Sequence, residues 1–228
     1  KQLHKRQARR RRLLMEEITI RKYKAADRAS IRKICCDTAF MGEPVESFFN
    51  DRKILADLLT LYYTDYEPES VFVAEDNGQV IGYLLGCKDT IRKEKVFSKK
   101  IFPKVLFDFL LRGLIFDMKS LRLFLNVFKS LRRGEFNHQK VPVIYPAHLH
   151  IDIEADFRKQ GLGTRLMDEF FKYLRENNIT GVHLCTFSEQ GRSFFLKVGF
   201  NLLWEIRSTQ WRYLINRDVL VSTFAKKI

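Results

Sequence analysis

The stretch Tyr145–Lys172, YPAHLHIDIEADFRKQGLGTRLMDEFFK, constrains the fold more than any other part of the chain. Val143, Tyr145, Ala147, Leu149, Ile151 and Ile153 alternate with His148, His150 and Asp152, the period-2 pattern of a strand. A basic turn with two glycines follows, Arg158-Lys159-Gln160-Gly161-Leu162-Gly163. Leu162, Leu166, Phe170 and Leu174 then recur at helical spacing. Glycines at a strand-to-helix junction let backbone approach a ligand closely, and the unbonded amides of a helix start suit phosphate or pyrophosphate. Two familiar phosphate motifs do not fit. The P-loop requires a Gly-Lys-Ser/Thr ending, and the third glycine of the dinucleotide fingerprint would fall on Leu166.

The flanking sequence predicts an ordered series of elements. Glu17–Tyr23 has the pattern of a first strand, and Asp27–Phe40 and Glu46–Tyr63 of two helices, separated by Gly42-Glu43-Pro44. Val71–Glu75 and Val80–Gly86 are two strands around Asp76-Asn77-Gly78, a strong hairpin turn. After the central helix come a strand at Gly181–Phe187, a helix from Ser188-Glu189-Gln190-Gly191, the ending Gly199-Phe200, a strand through Leu202, Trp204 and Ile206, and a last strand at Val219–Phe224. Residues 89–140 interrupt this series. They carry Phe102, Val105, Leu106, Phe109 and Leu110, then Leu114, Met118, Leu121, Leu125 and Phe128, at spacings that predict two or three helices.

Strand, RKQGLG and helix, in this order with the other elements, resemble the acetyl-CoA motif of the GNAT acyltransferase superfamily, Arg/Gln-x-x-Gly-x-Gly/Ala. The resemblance covers residues 16–227 apart from the insertion. YPAHLHIDI also resembles a branch of bacterial GNAT proteins similar to the acetyltransferase-like domains of some O-GlcNAc hydrolases. The implied fold is α/β (α+β): a central mixed, mostly antiparallel, splayed sheet flanked by helices, with a helical insertion between strands 3 and 4. Residues 15–228 would form one such domain. In this family the first two helices and their connection often line the acceptor site, which points to Phe40, Glu43 and Glu46.

The resemblance implies acetyl-CoA as cosubstrate and no metal requirement. Its pyrophosphate would meet the amides of Gln160, Gly161, Leu162, Gly163 and Thr164, with Arg158, Lys159 and Arg165 adding charge. The Ile153 backbone would pair with the pantetheine arm, and Ile151, Ser188 and Arg192 are further cofactor candidates. Transfer to an amine needs a group to take the amine proton and one to protonate the departing thiolate. His148, His150 and Asp152 share one strand face, and an imidazole titrates near neutrality. His148 lies further from the glycine turn than His150, nearer an acceptor. Many family members use a tyrosine four residues before the Gly-Phe ending to protonate the thiolate. Here that residue is Phe195, which has no proton to give. Ser188 and Ser193 are the catalytic alternatives.

Composition narrows the remaining choices. The chain has 228 residues, 46% hydrophobic and 30% charged, and no run of eighteen apolar residues. Cys35, Cys36, Cys87 and Cys185 lack metal or disulfide spacing, as in a reduced, cytoplasmic protein. The formal charge is +14, and residues 1–14 hold seven Lys or Arg and no acid, which predicts a disordered basic tail or a vector or translation artefact outside the fold. Residues 92–140 hold thirteen Lys or Arg against four acids, with eight phenylalanines from Phe97 to Phe136. An accessory core with a partial lid is the first use expected of this segment, a homodimer contact the second, and an anionic membrane or acyl substrate the third. The function expected is acetyl-CoA-dependent N-acetyl transfer to a small primary amine or amino sugar, with no specific nucleic-acid partner. A CoA-binding domain with impaired catalysis and an acyltransferase for a hydrophobic or membrane-linked acceptor are the alternatives.

Overall fold

The computed structural model describes residues 18–135 and 141–228. The basic stretch 1–14 and the predicted end of the insertion, 136–140, lie outside the described residues. Among the described residues seven strands form one sheet: β1 (Thr19–Lys22), β2 (Val71–Asp76), β3 (Gln79–Cys87), β4 (Ala147–Ile153), β5 (Gly181–Thr186), β6 (Asn201–Ser208) and β7 (Val219–Lys227). Their order across the sheet is β1-β2-β3-β4-β5-β7-β6. Every neighbouring pair is antiparallel except β4 and β5. Those two pair only at Ala147–Val182 and His148–His183 and separate beyond that point. The strands therefore splay in the middle of the sheet. Asn77 and Gly78 at the β2–β3 turn both have left-handed backbone, φ 47° and 82°, the conformation that an Asn-Gly hairpin turn requires.

Two cores lie on the two faces of the sheet. On one face, helices α1 (Arg28–Asp37) and α2 (Arg52–Tyr66) bury Ile31, Ile34, Ile54 and Tyr62 with Val71, Val73, Tyr83, Leu85 and Cys87. On the other, helices α6 (Leu162–Glu176) and α7 (Glu189–Lys197) bury Leu162, Leu166, Phe170, Leu174 and Phe195 with Phe72, Leu84, Leu149 and Phe224. Helix α2 begins later than its apolar pattern predicts. Asp51 accepts from the Ile54 amide as its N-cap, and Val45–Ser47 forms a separate 3-10 turn.

The insertion is folded as helices α3 (Thr90–Val96), α4 (Phe102–Leu111) and α5 (Met118–Arg132), with a π-helical turn at Phe97–Ile101 and a 3-10 turn at Leu114–Phe116. It docks on α2. Ile101, Val105 and Leu114 join the first core. Lys104 pairs with Asp57, Asp108 with Lys53, and Arg112 with Asp51, while Asn50 donates to Asp117. At the far end Glu135 accepts from the Thr209 amide and from the Ser208 and Thr209 hydroxyls. The predicted accessory core is small, however. Of Phe102, Val105, Leu106, Phe109 and Leu110, only Val105 is buried and Phe109 is partly packed; the other three are exposed. A final short helix, α8 (Arg212–Ile215), lies between β6 and β7.

Candidate active site

A cavity of about 600 Å³ occupies the gap between the diverging ends of β4 and β5. Its lining runs from the glycine turn, past Ile151, Ile153 and the Leu184–Ser188 segment, to Thr38, Ala39, Met41 and Gly42 in the α1–α2 connection. The strand ladder explains the gap. Once β4 and β5 stop pairing, their facing backbone groups are available to an extended ligand arm.

The turn is shaped by two left-handed residues, Lys159 at φ 60° and Gly161 at φ 83°, the latter capping α6. Gly161 adopts this conformation without the strain a side chain would bring. Gly163 serves a different need: a Cβ there would stand 2.9 Å from the Phe194 ring, so α6 and α7 approach closely only because it is absent. Arg158, Lys159, Gly161, Leu162, Gly163 and Thr164 all line the cavity, with the first amides of α6 as donors. The Arg158 Nε donates to the Ile153 carbonyl at 2.9 Å, and its guanidinium packs against Gly42. The side chains of Arg165 and Arg192, expected to meet the cofactor, point elsewhere, as does that of Gln160, which was expected to act through its backbone amide. Arg165 donates to the Ile18 carbonyl at 2.7 Å. Gln160 donates to the Asp156 carbonyl at 2.9 Å. Arg192 pairs with Glu205 and donates to Ser222 at 3.2 Å, held by β6 and β7.

His148, His150 and Asp152 share the face of β4 turned toward α1 and α2, opposite Cys87, Leu85 and Tyr83 of β3. They separate into two environments. His150 and Asp152 line the cavity; the His150 Nε2 lies 2.9 Å from Asp152 Oδ2. Tyr83 donates its hydroxyl to the same carboxylate oxygen at 2.7 Å. Burial, with Asp152 and Cys35 adjacent, holds the Tyr83 phenol well above its usual range, so it remains a donor. The order Tyr83, Asp152, His150 fixes the imidazole at the cavity wall.

His148 does not line the cavity. Its Nδ1 lies 3.3 Å from both the Tyr63 hydroxyl and the Lys93 ammonium, and its ring stands edge-on to His183 at 5.3 Å. Burial first, then Lys93, His183 and His150, holds its pKa well below the ordinary imidazole value. His148 is therefore neutral at neutral pH and a poor proton acceptor, although its position along β4 made it the nearer candidate to the acceptor. The sequence pattern did not reveal Lys93 or Tyr63. Lys93 is one of thirteen basic residues in its segment, and only the fold of α3 brings it to β4.

The remaining predicted residues fall into place on α7 and in the α1–α2 connection. Ser188 is the N-cap of α7 and accepts from the Gly191 amide at 2.9 Å, so its hydroxyl oxygen is already engaged. Ser193 also lines the cavity. Phe195 is buried against Phe194, Phe200 and Phe224. Phe40 is buried in an aromatic cluster with Phe48, Phe187 and Trp211. Glu46 pairs with Arg52, and Glu43 pairs through its backbone with Phe40. Cys35 lines the cavity, with its thiol pushed up to about 12 by burial, so it is no nucleophile at neutral pH. Among the described residues no cluster of His, Cys, Asp or Glu could hold a metal ion, and no helix is long and apolar enough to cross a membrane.

A seven-stranded sheet split at one parallel pair, with a glycine turn opening a helix at the split, is the architecture of the GNAT acetyltransferases. Residues 136–200 match the model of the Acetyltransferase (GNAT) family. A solved protein named SsHAT is similar at 28% identity and TM-score 0.67, over 92% of this chain and 98% of its own. The Drosophila melanogaster polyamine N-acetyltransferase, which forms N-acetylagmatine, is similar at 15% identity and TM-score 0.55, over 92% of this chain and 100% of its own. A phosphinothricin acetyltransferase from Sinorhizobium meliloti, solved with acetyl-CoA, is similar at 14% identity and TM-score 0.55, over 93% and 89%. The GNAT family model thus matches residues 136–200, and the chain as a whole shares the fold of these acetyltransferases.

Proposed function

We propose that this protein is an acetyl-CoA-dependent N-acetyltransferase that passes acetyl directly to the primary amine of a small acceptor. The observation that carries this reading is the single cavity joining the glycine turn to the His150–Asp152 pair through the β4–β5 gap. The turn end suits the pyrophosphate, held by α6 amides beside Arg158 and Lys159. The gap suits the pantetheine arm, along Ile151 and Ile153. The far end, among Thr38, Met41 and Phe187, suits the acceptor. The fold shared with the polyamine and phosphinothricin acetyltransferases supports an amine acceptor. An amino sugar stays among the acceptors to be tried.

In this mechanism the neutral amine attacks the thioester carbonyl carbon, a C–N bond forms, and the C–S bond breaks as the tetrahedral intermediate collapses. His150 accepts the amine proton, directly or through one water, and Asp152 stabilises the imidazolium that results. Tyr83 holds Asp152 in place. The sulfur leaves as a thiolate. A thiol of pKa about 8.5 needs far less help to depart than an alkoxide, so Phe195 in place of a tyrosine does not block the step. Ser193 or water returns the proton.

Phe195 also favours a second reading, a domain that binds acetyl-CoA without turning it over. One experiment separates the two. The protein is incubated with acetyl-CoA and a panel of polyamines, amino acids and amino sugars, and free thiol release is followed. Acceptor-dependent release supports the enzyme. Saturable CoA binding with no release across the panel supports the second reading, and absence of CoA binding sinks both.

A further inference from the structure

The insertion turns its apolar side chains outward. Phe107, Leu111, Phe116, Phe124, Phe128 and Leu131 are all exposed, Phe116 to 84% and Leu111 to 69%. These residues belong to α4, α5 and the turn between them, one continuous piece of chain. On α5 the inward positions are Ser120 and Ser130, both buried, while Leu121, Phe124, Leu125 and Phe128 form an exposed stripe at helical spacing. A stripe of this size on one surface marks contact with something apolar.

Charge selects the partner. Between Phe97 and Arg133 there are nine Lys or Arg and two acids, and two of the nine, Lys104 and Arg112, are paired with Asp57 and Asp51 outside the segment, which leaves the basic excess mainly on α5 and the π-helical turn. Neither acid faces the stripe as a free charge: Asp108 is paired with Lys53 and Lys104, and Asp117 caps α5 through the Ser120 amide and hydroxyl. Lys119, Arg122, Lys129 and Arg132 are exposed along α5 itself. A two-fold contact between copies would set this basic surface against itself. An amphipathic helix with phenylalanine and leucine on one side and lysine and arginine beside them fits the boundary of an anionic bilayer.

We propose that α4 and α5 form a docking surface for an anionic membrane, with the exposed phenylalanines seated among the acyl chains and the basic residues on the headgroups. The polar ties to α2 described above anchor this surface to the catalytic domain, so docking needs no unfolding. The proposal is independent of the transferase reading.

Flotation with phosphatidylcholine vesicles, with and without phosphatidylglycerol, tests it on the full chain. The expected result is binding to the mixed vesicles, little binding to the neutral ones, and weakening by salt. The triple variant Phe116→Ser, Phe124→Ser, Phe128→Ser should partition about tenfold or more weakly, since each lost ring removes buried apolar area. Its melting temperature should be unchanged, because these rings are exposed in the folded protein. A variant lacking residues 1–14 should retain most of the binding. No binding to anionic vesicles at low salt overturns the proposal. So does binding that disappears with residues 1–14 and ignores the triple substitution. A dimer in sedimentation that the triple substitution dissociates, without vesicle binding, overturns it in favour of a second copy of the chain.

Discussion

Helices α6 and α5 each have fifteen residues, and both carry apolar residues at helical spacing, yet one faces inward and the other outward. Helix α6 buries Leu162, Leu166, Met167, Phe170, Phe171 and Leu174 against the sheet. Helix α5 buries only Ser120 and Ser130 and exposes Phe124, Phe128 and Leu131. Amphipathicity therefore specifies that a helix has an apolar face, not what covers it. The covering is decided by neighbours. Helix α6 directly follows a strand and returns onto that strand's sheet, whereas α5 sits at the end of an excursion whose buried apolar anchors, Ile101, Val105 and Leu114, and ion pairs to α2 all precede it.

The largest difference between the two helices should appear in stability. Phe170 is fully buried, and its ring fills the space a side chain at Gly86 would need. Phe170→Ala should cost about 3–5 kcal/mol, as large-to-small changes in a packed core do. Phe124, 62% exposed, should change stability by no more than about 0.5 kcal/mol on the same substitution. Denaturant midpoints of the two variants measure this directly. Equal losses would mean that α5 is covered in the protein in solution.

The same contrast decides what could be read in advance. The Asn77-Gly78 hairpin, the glycine turn and α6 were legible because local geometry alone dictates them: two left-handed residues, a strained turn and a single apolar stripe. The sheet split was legible only through the family resemblance, since nothing in Ala147–Ile153 says where pairing with β5 ends. Side-chain destinations were not legible. Arg158 and Arg165 are equally basic neighbours of the turn, yet one lines the cavity and the other caps the Ile18 carbonyl. Likewise the period-2 pattern put His148 and His150 on one face but could not tell that Lys93 and Tyr63 enclose the first and Asp152 orients the second.

Those two histidines provide the next test, now on the opposite sheet face from α6. His150→Gln should lower kcat/KM by about 10²-fold or more while leaving CoA affinity intact, as loss of a general base does. Asp152→Asn should lower it less, by loosening the imidazole, while His150→Gln should also remove the acidic limb of the pH–rate profile. His148→Gln should leave that limb in place. If His148→Gln removes the limb and His150→Gln does not, the roles of the two residues are reversed.

The start of α6 should be worth somewhat less. CoA at one hundred times its Kd stabilises the folded state by about 2.7 kcal/mol, read as a rise in melting temperature. Gly161→Trp forces a side chain into left-handed backbone, and Gly163→Trp forces one into Phe194. Both should remove most of the rise. A full, saturable rise in both folded variants would move the pyrophosphate away from this turn.

The smallest effect is a pH dependence carried by His148. Its folded pKa lies well below the ordinary 6.5, while in the unfolded chain it returns to that value. Below pH 6.5 the unfolded state therefore binds a proton that the folded state refuses, and stability falls as the pH falls toward the folded pKa. Above pH 6.5 both states are neutral and the residue contributes no slope. The loss is at most about 1.4 kcal/mol for each pH unit in that window. His183, also lowered by burial, adds to the same slope. His148→Gln removes one titrating group and keeps an amide that can bond Tyr63. Its melting temperature should decline less than that of the unsubstituted protein between about pH 6.5 and pH 5, and should run parallel to it above pH 7. An identical decline in both proteins would mean that His148 titrates as a solvated imidazole and that Lys93 does not enclose it.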